Sequence, residues 1–180
     1  MSFKLLTDSN WTLFLDRDGV INRRIFGGYV LETEQFEFLP GVLDSLAFLS
    51  TIFGKIIVVT NQQGIAKGYM TEQQLLQIHD KMQKEVSNHG GRIDAVFVAK
   101  EFKNTEPFHR KPNRAMGLMA KQAFPEIDFE KSIMVGDTDT DILFGQNLGM
   151  KTVLVKSLEK TTIHPDFTIS NFTDLCDIFS

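Results

Sequence analysis

Trp11-Thr12-Leu13-Phe14-Leu15-Asp16-Arg17-Asp18-Gly19-Val20 is the stretch that decides how this chain is read. It is an apolar run, broken only by Thr12, that stops abruptly at two carboxylates one residue apart. A strand with one wet face alternates apolar and polar side chains, whereas a strand covered on both faces is apolar throughout, as in parallel sheets. Similar runs, rich in β-branched residues, recur at 55–60, 93–98, 132–136 and 152–155.

Helical patterns lie between the runs. Pro40-Gly41 opens one to about residue 51, with Val42, Leu43, Leu46 and Leu49 at helical spacing. Thr71, followed by Glu72 and Gln74, opens the longest; Leu75, His79, Met82 and Val86 then repeat by four and three until Gly90-Gly91. A third is expected from Pro112 to Phe124, a fourth from about Thr138 to Gly149, and a last over 172–178. Strand and helix in alternation predict a single doubly wound (Rossmann-like) α/β domain over residues 1–180, a parallel sheet with helices on both faces. Residues 19–39 have no place in that alternation. They are expected to form a flap, with a short strand pair at 29–31 and 35–39, as the only cap over the site. Sheets of this kind bind ligands beyond the carboxyl ends of their strands, so a functional motif should directly follow a strand.

Composition narrows the function. At 180 residues the chain suits one domain whose core needs no staples. A net charge of −4 gives no reason to expect nucleic acid or an anionic membrane as partner. An anionic substrate must therefore be drawn by local positive charge or a metal. Cys176 is the single cysteine, which excludes an intramolecular disulfide and disfavours an all-protein zinc site. The first residues, MSFKLLTDSNW, hold no apolar stretch of signal-peptide length, and no segment approaches the ~18 apolar residues of a membrane span. A cytoplasmic protein is expected.

Four motifs meet the strand-end test. Asp16 and Asp18, at i and i+2, leave an extended strand on the same side and can address one bound group. A carboxylate is a competent nucleophile towards phosphorus, and a neighbouring one can act as acid and then base. Thr60-Asn61-Gln62-Gln63-Gly64 offers a hydroxyl followed by a loop rich in backbone N–H groups, suited to a phosphoryl oxygen. Arg110-Lys111-Pro112 places two cations where a helix is expected to begin, an unfavourable position unless an anion is near. Gly136-Asp137-Thr138-Asp139-Thr140-Asp141 adds carboxylates that suit a hard cation such as Mg²⁺. The same segment imitates a calcium loop but has Ile142 where that loop needs Gly and Leu148 where it needs Glu.

A carboxylate pair, a hydroxyl, a lysine and a carboxylate cluster, in this order, resemble the haloacid dehalogenase (HAD) superfamily of phosphatases over about residues 11–155. The segment Phe14 to Asn22, with Thr60-Asn61-Gln62, Arg110-Lys111-Pro112 and Gly136-Asp137, is similar to the branch of heptose bisphosphate and histidinol phosphatases. The resemblance implies that Asp16 is the nucleophile and that Asp18 is the acid/base, with its backbone carbonyl on the metal. It implies that Thr60 and Lys111 hold the phosphoryl group, that Asp16, Asp18 and Asp137 form the Mg²⁺ site, and that Asp141 orients its surroundings. Arg110, with Asn61 and Gln62, would contact the substrate. Members of this branch commonly carry a Cys/His zinc loop before Arg-Lys-Pro; here residues 99–109 are short and lack cysteine. Thr138 stands where the heptose enzymes often have Lys.

The expected activity is Mg²⁺-dependent hydrolysis of a small phosphate monoester, first a sugar (heptose) bisphosphate, through an aspartyl-phosphate. Histidinol phosphate and polynucleotide 3′-phosphates are the alternative substrates, the latter disfavoured by the lack of a basic stripe. A phospho-accepting, receiver-like signalling domain would use a similar Asp, Thr, Lys and metal set. It would not need Asp18, because an acid beside the nucleophile serves turnover.

Overall fold

The computed structural model describes residues 7–103, 105–106 and 108–179. In chain order the elements are β1 (Thr12–Leu15), α1 (Val42–Leu49), β2 (Lys55–Asn61), α2 (Glu72–Asn88), β3 (Ala95–Ala99), α3 (Ala115–Ala123), β4 (Ser132–Gly136), α4 (Asp139–Leu148), β5 (Lys151–Val155), β6 (Phe167–Ile169) and α5 (Asp174–Phe179). The strands form one six-stranded sheet in the order β3-β2-β1-β4-β5-β6, with every pairing parallel. The winding reverses between β1 and β4, the type of crevice where doubly wound sheets hold their ligands.

Alternation across the strands explains why they read as uniformly apolar. Leu13 and Leu15 face a core shared with Ile56, Val58, Ile133 and Val135, beneath α1, α2 and α5. Phe14 points the other way, to Ile57, Val59 and Met134, with Met116 of α3 and Phe144 of α4. Both faces are covered, and each fully buried side chain of this size contributes about 1.5–3 kcal/mol. A slip of β1 by one residue would exchange its faces and withdraw Asp16 from the sheet end, so core packing and site geometry are locked together. The register puts the strand ends in step: Leu15 pairs with Val58 on one side and Val135 on the other. The Asp16 N–H then donates to the Val135 carbonyl at 2.9 Å and carries the ladder one residue further.

Several sequence expectations shift. The third helix begins at Ala115, not at Pro112, so Arg110 and Lys111 sit in a loop and not at a helix N-terminus. No strand pair forms at 29–31 and 35–39. A 3-10 turn over Thr33–Gln35 stands there instead, and Val30 and Phe36 drop into the core as plugs. The segment after residue 35 is bridged instead to Asn22, through Phe38. The third strand starts two residues later than expected, the last helix spans Asp174–Phe179, and the edge strand β6 was not foreseen. Among the described residues, no helix is long and apolar enough to cross a membrane.

Candidate active site

A cavity of about 660 Å³ opens at the carboxyl ends of the strands. Asp16, Asp18, Asn61, Lys111 and Asp141 line it from the sheet side, and residues 24–30 of the flap line it from above.

At its floor lies a buried cluster of charge. Lys111 Nζ donates to Asp16 Oδ1 at 2.8 Å and to the Val59 carbonyl at 2.8 Å. It stands 2.6 Å from Asp141 Oδ1. Burial and the adjacent Asp141 push the Asp16 carboxyl up to about 6, with Lys111 pulling the other way. At neutral pH Asp16 is thus mostly ionised despite its burial. Burial would lower Lys111, but Asp141 and Asp16 outweigh it and hold the ammonium above its usual range. Its two carboxylate partners thus favour the charged form.

The three carboxylates Asp16, Asp137 and Asp141 each offer an oxygen within 4.8 Å of the others, and they differ in what those oxygens already do. Asp141 Oδ2 accepts from Thr138 Oγ1 at 2.7 Å and from the backbone N–H groups of Thr138 and Asp137 at 3.0 and 3.2 Å, closing a capping box at the start of α4. Its Oδ1 faces Lys111. Asp137 is also buried, yet neither of its oxygens accepts a hydrogen bond among the described residues. Arg24 Nη1 approaches Oδ2 only to 3.3 Å. Burial and the charge of Asp16 raise Asp137 to about 8. Buried carboxylate oxygens that accept no hydrogen bond suit a cation, which would favour the ionised form of Asp137 that burial disfavours. The donor set is all oxygen, as a hard divalent ion requires. Two glycines make the cluster possible. A Cβ on Gly19, whose φ is +91°, would fall 2.2 Å from Asp137 Oδ2, and one on Gly136 would fall 2.0 Å from the Asp141 Cβ.

Asp18 belongs to a second network. Its Oδ1 accepts from Arg17 Nη2 at 2.9 Å and Asn22 Nδ2 at 3.0 Å; its Oδ2 accepts from Arg17 Nη2 at 2.9 Å and Gln62 Nε2 at 2.7 Å. Burial alone would raise Asp18, but the Arg17 guanidinium and these donors together hold it below the usual carboxylate range. Arg17 is itself fully buried, and its Nη1 lies 3.1 Å from His79 Nε2. A guanidinium only donates, so Nε2 must accept and the ring proton sits on Nδ1. Burial, with Arg17 adding to it, pushes His79 down to about 3, which keeps the ring neutral and able to accept. In the sequence His79 stands at one of the apolar-face positions of α2. A titratable residue on that stripe was the available signal.

Thr60 and Gln62 are buried and absent from the cavity wall, where Asn61 and Gln63 appear instead. Gln62 was expected at the substrate; its Nε2 instead joins Asp18 to Thr60 Oγ1, the latter at 2.9 Å. Asn61 grips the backbone of Lys111, accepting from its N–H at 2.9 Å and donating to its carbonyl at 3.3 Å. Glu101 Oε1 accepts from the N–H groups of His109 and Arg110 at 2.6 and 2.8 Å. The short loop before Arg110-Lys111 is thus pinned by a carboxylate and an amide. The two flap arginines part company: Arg24 lines the cavity, whereas Arg23 pairs with Glu37 at the surface.

A family model described as HAD-hydrolase-like matches residues 108–175. The D-glycero-alpha-D-manno-heptose-1,7-bisphosphate 7-phosphatase of Burkholderia mallei is 39% identical over 157 residues, covering 81% of this chain and 79% of that one. The D-glycero-beta-D-manno-heptose-1,7-bisphosphate 7-phosphatase of Helicobacter pylori (strain J99) is 32% identical over 171 residues, covering 94% and 97%. Among solved structures, the D,D-heptose 1,7-bisphosphate phosphatase of B. bronchiseptica, complexed with magnesium and phosphate, shares the fold. It has a TM-score of 0.84 at 24% identity, over 93% of this chain and 96% of that one.

Proposed function

From its membership of the HAD-type phosphatases, to which this chain belongs, we propose that it removes one phosphate from a heptose 1,7-bisphosphate, with Asp16 as nucleophile and Mg²⁺ as cofactor. The observation that carries the chemistry is the contact of Asp16 with the buried Lys111 ammonium at the cavity floor, next to a buried Asp137 neither of whose oxygens accepts a hydrogen bond. The substrate is supported by relatives of both the alpha and the beta series that cover most of the chain.

Asp16 and Asp137 would hold the metal, with the backbone carbonyl of Asp18. When bound, it supplies positive charge that offsets repulsion between the anionic ester and the anionic nucleophile. Lys111 would add to that compensation, and its ammonium favours the ionised form of Asp16 against burial. Thr60, expected to hold the phosphoryl group, is buried behind the cavity wall, where its hydroxyl accepts from Gln62 and steadies the amide that donates to Asp18. Asp16 attacks phosphorus, the bond to the sugar oxygen breaks, and Asp18 delivers a proton to that oxygen. Water then enters, Asp18 takes its proton, and the aspartyl-phosphate is hydrolysed back to Asp16 and inorganic phosphate.

The network around Asp18 bears on the order of these steps. Held low by Arg17, Asp18 is ionised before substrate arrives, the state needed for the second step. Its proton for the first is taken up as the negative ester raises it. Asp141 touches neither water nor ester in this scheme; it ties the start of α4 to Lys111.

Phosphate release from synthetic heptose 1,7-bisphosphate, followed with and without EDTA, tests the reading. Turnover should cease in EDTA and return with excess Mg²⁺, and the bisphosphate should outrun histidinol phosphate. Activity that survives exhaustive chelation would exclude the metal, and a preference for histidinol phosphate would exclude the sugar. Arg110, on the cavity wall with its side chain in no ion pair among the described residues, adds a finer test. Arg110→Ala should raise KM for the bisphosphate about tenfold, the loss of one charge-assisted contact, while p-nitrophenyl phosphate is hydrolysed nearly as before. Equal losses on both compounds would assign Arg110 to the reacting phosphate or to the fold.

A further inference from the structure

The charges that line the cavity fall into paired and unpaired groups. Lys111 pairs with Asp16 and Asp141 at the floor and Arg24 with Glu159, whereas the side chains of Lys67, Lys103 and Arg110 make no ion pair with any described residue. For a chain of net charge −4, three unneutralised cations around one opening are a local exception.

Of the three, Lys67 is the one whose position is built. Its ammonium lies 5.4 Å from the ring centroid of Tyr29 and 5.9 Å from that of Tyr69, within cation–π range of both. The two rings are tilted against each other at 5.9 Å. Both tyrosines line the same cavity. The turn beneath is closed by the Lys67 N–H on the Gln63 carbonyl at 3.1 Å and the Tyr69 N–H on the Gly64 carbonyl at 2.9 Å. Tyr29 comes from the flap and packs onto that turn so closely that a Cβ on Gly64 would lie 3.3 Å from its ring. A lysine held by a carboxylate has its charge cancelled. A lysine held by two aromatic faces keeps its full charge, loses part of its rotamer freedom in advance, and retains donors for an anion.

We propose that Lys67, steadied by Tyr29 and Tyr69, recognises the phosphate of the substrate that is not cleaved and is thereby a specificity-determining residue of the cavity. This rests on the bisphosphate reading above. The reacting phosphate sits among Asp16, Lys111 and the metal site, so a second phosphate on the same sugar must project towards the rim. There Lys67 offers a compact point charge.

The test compares kcat/KM for heptose 1,7-bisphosphate with that for heptose 7-phosphate, in wild type and in Lys67→Met. The methionine keeps the length and apolar stem, and the site is an exposed turn, so folding is not at issue. The wild type should favour the bisphosphate. Lys67→Met should cut the ratio about tenfold, through KM and not kcat. Tyr69→Leu, which leaves the charge but removes one ring, should cut it by about threefold, the worth of an exposed cation–π contact. Binding of the bisphosphate to an Asp16→Asn background, where it cannot be cleaved, should weaken about tenfold when Lys67→Met is added. A wild type that treats both substrates alike would overturn the bisphosphate reading and this inference together. A wild type that prefers the bisphosphate, with a ratio unmoved by Lys67→Met, would overturn this inference alone. An unmoved ratio in Tyr69→Leu would overturn the part assigned to that ring.

Discussion

Asp16→Asn is expected to lower steady-state phosphate release at least ~10²-fold, the scale of loss when a group that reacts directly is removed. The amide keeps the shape of the side chain and its place at the end of β1, where the backbone N–H is tied to Val135. What it loses is the charged oxygen that bonds to phosphorus. The same change should not weaken the fold. Asp16 is raised to about 6 by burial first and by Asp141 next, so its charge is a burden on the metal-free protein that Lys111 only partly offsets. Removing it leaves Lys111 paired with Asp141 at 2.6 Å. Midpoints of thermal unfolding in EDTA should therefore be equal or higher in the variant. Turnover above about one-hundredth of wild type would end the assignment of Asp16 as nucleophile.

Lys111→Met should lose stability as well as activity. The ammonium is buried and touches Asp16 Oδ1, Asp141 Oδ1 and the Val59 carbonyl. Methionine fills the channel occupied by the stem but leaves two buried carboxylates and a carbonyl facing each other with no donor. Removing one partner of a buried ionic group costs about 3–5 kcal/mol, because the remaining charge stays desolvated. Urea unfolding in EDTA should show a loss of that order, and Mg²⁺ should restore part of it by supplying positive charge to the same carboxylates. Turnover should also fall steeply, since the anionic ester would approach Asp16 without the ammonium that offsets their repulsion. A loss below about 1 kcal/mol in EDTA would mean that the carboxylates take up protons freely and that Lys111 is not their main partner.

Both expectations depend on contacts that differ in how far a sequence can reveal them. Strand positions were legible because the information is local. Side chains alternate along a strand, so a run apolar at every position demands cover on both faces, and Leu13, Phe14 and Leu15 do divide between two cores. Asp16 follows directly from where that run stops. Thr71 with Gln74, and Thr138 with Asp141, are capping boxes within four residues, and helix starts at these points were likewise readable. The edge strand Phe167–Ile169 escaped notice because three residues carry almost no period.

Contacts across the sheet end were not legible, because they depend on register and loop packing summed over many residues. Lys111 was expected at a helix N-terminus. In the structure it reaches the floor from a loop pinned by Asn61 and Glu101, and its place between Asp16 and Asp141 follows from β1, β2 and β4 ending in step. Arg17 lies between two acids in the sequence, which leaves its direction open. Only the burial of His79 on α2, 62 positions away, shows that it turns inward and fastens Asp18. Gln62 and Gln63 are equivalent candidates on paper, yet the backbone at the end of β2 sends one to Asp18 and the other to the cavity wall. Which residue types stand at the strand ends, and hence the class of chemistry, can be read along the chain alone. The tertiary structure decided which oxygen meets which donor, because hydrogen bonds and charge pairs act over a few ångströms and only the packed chain sets distances that small.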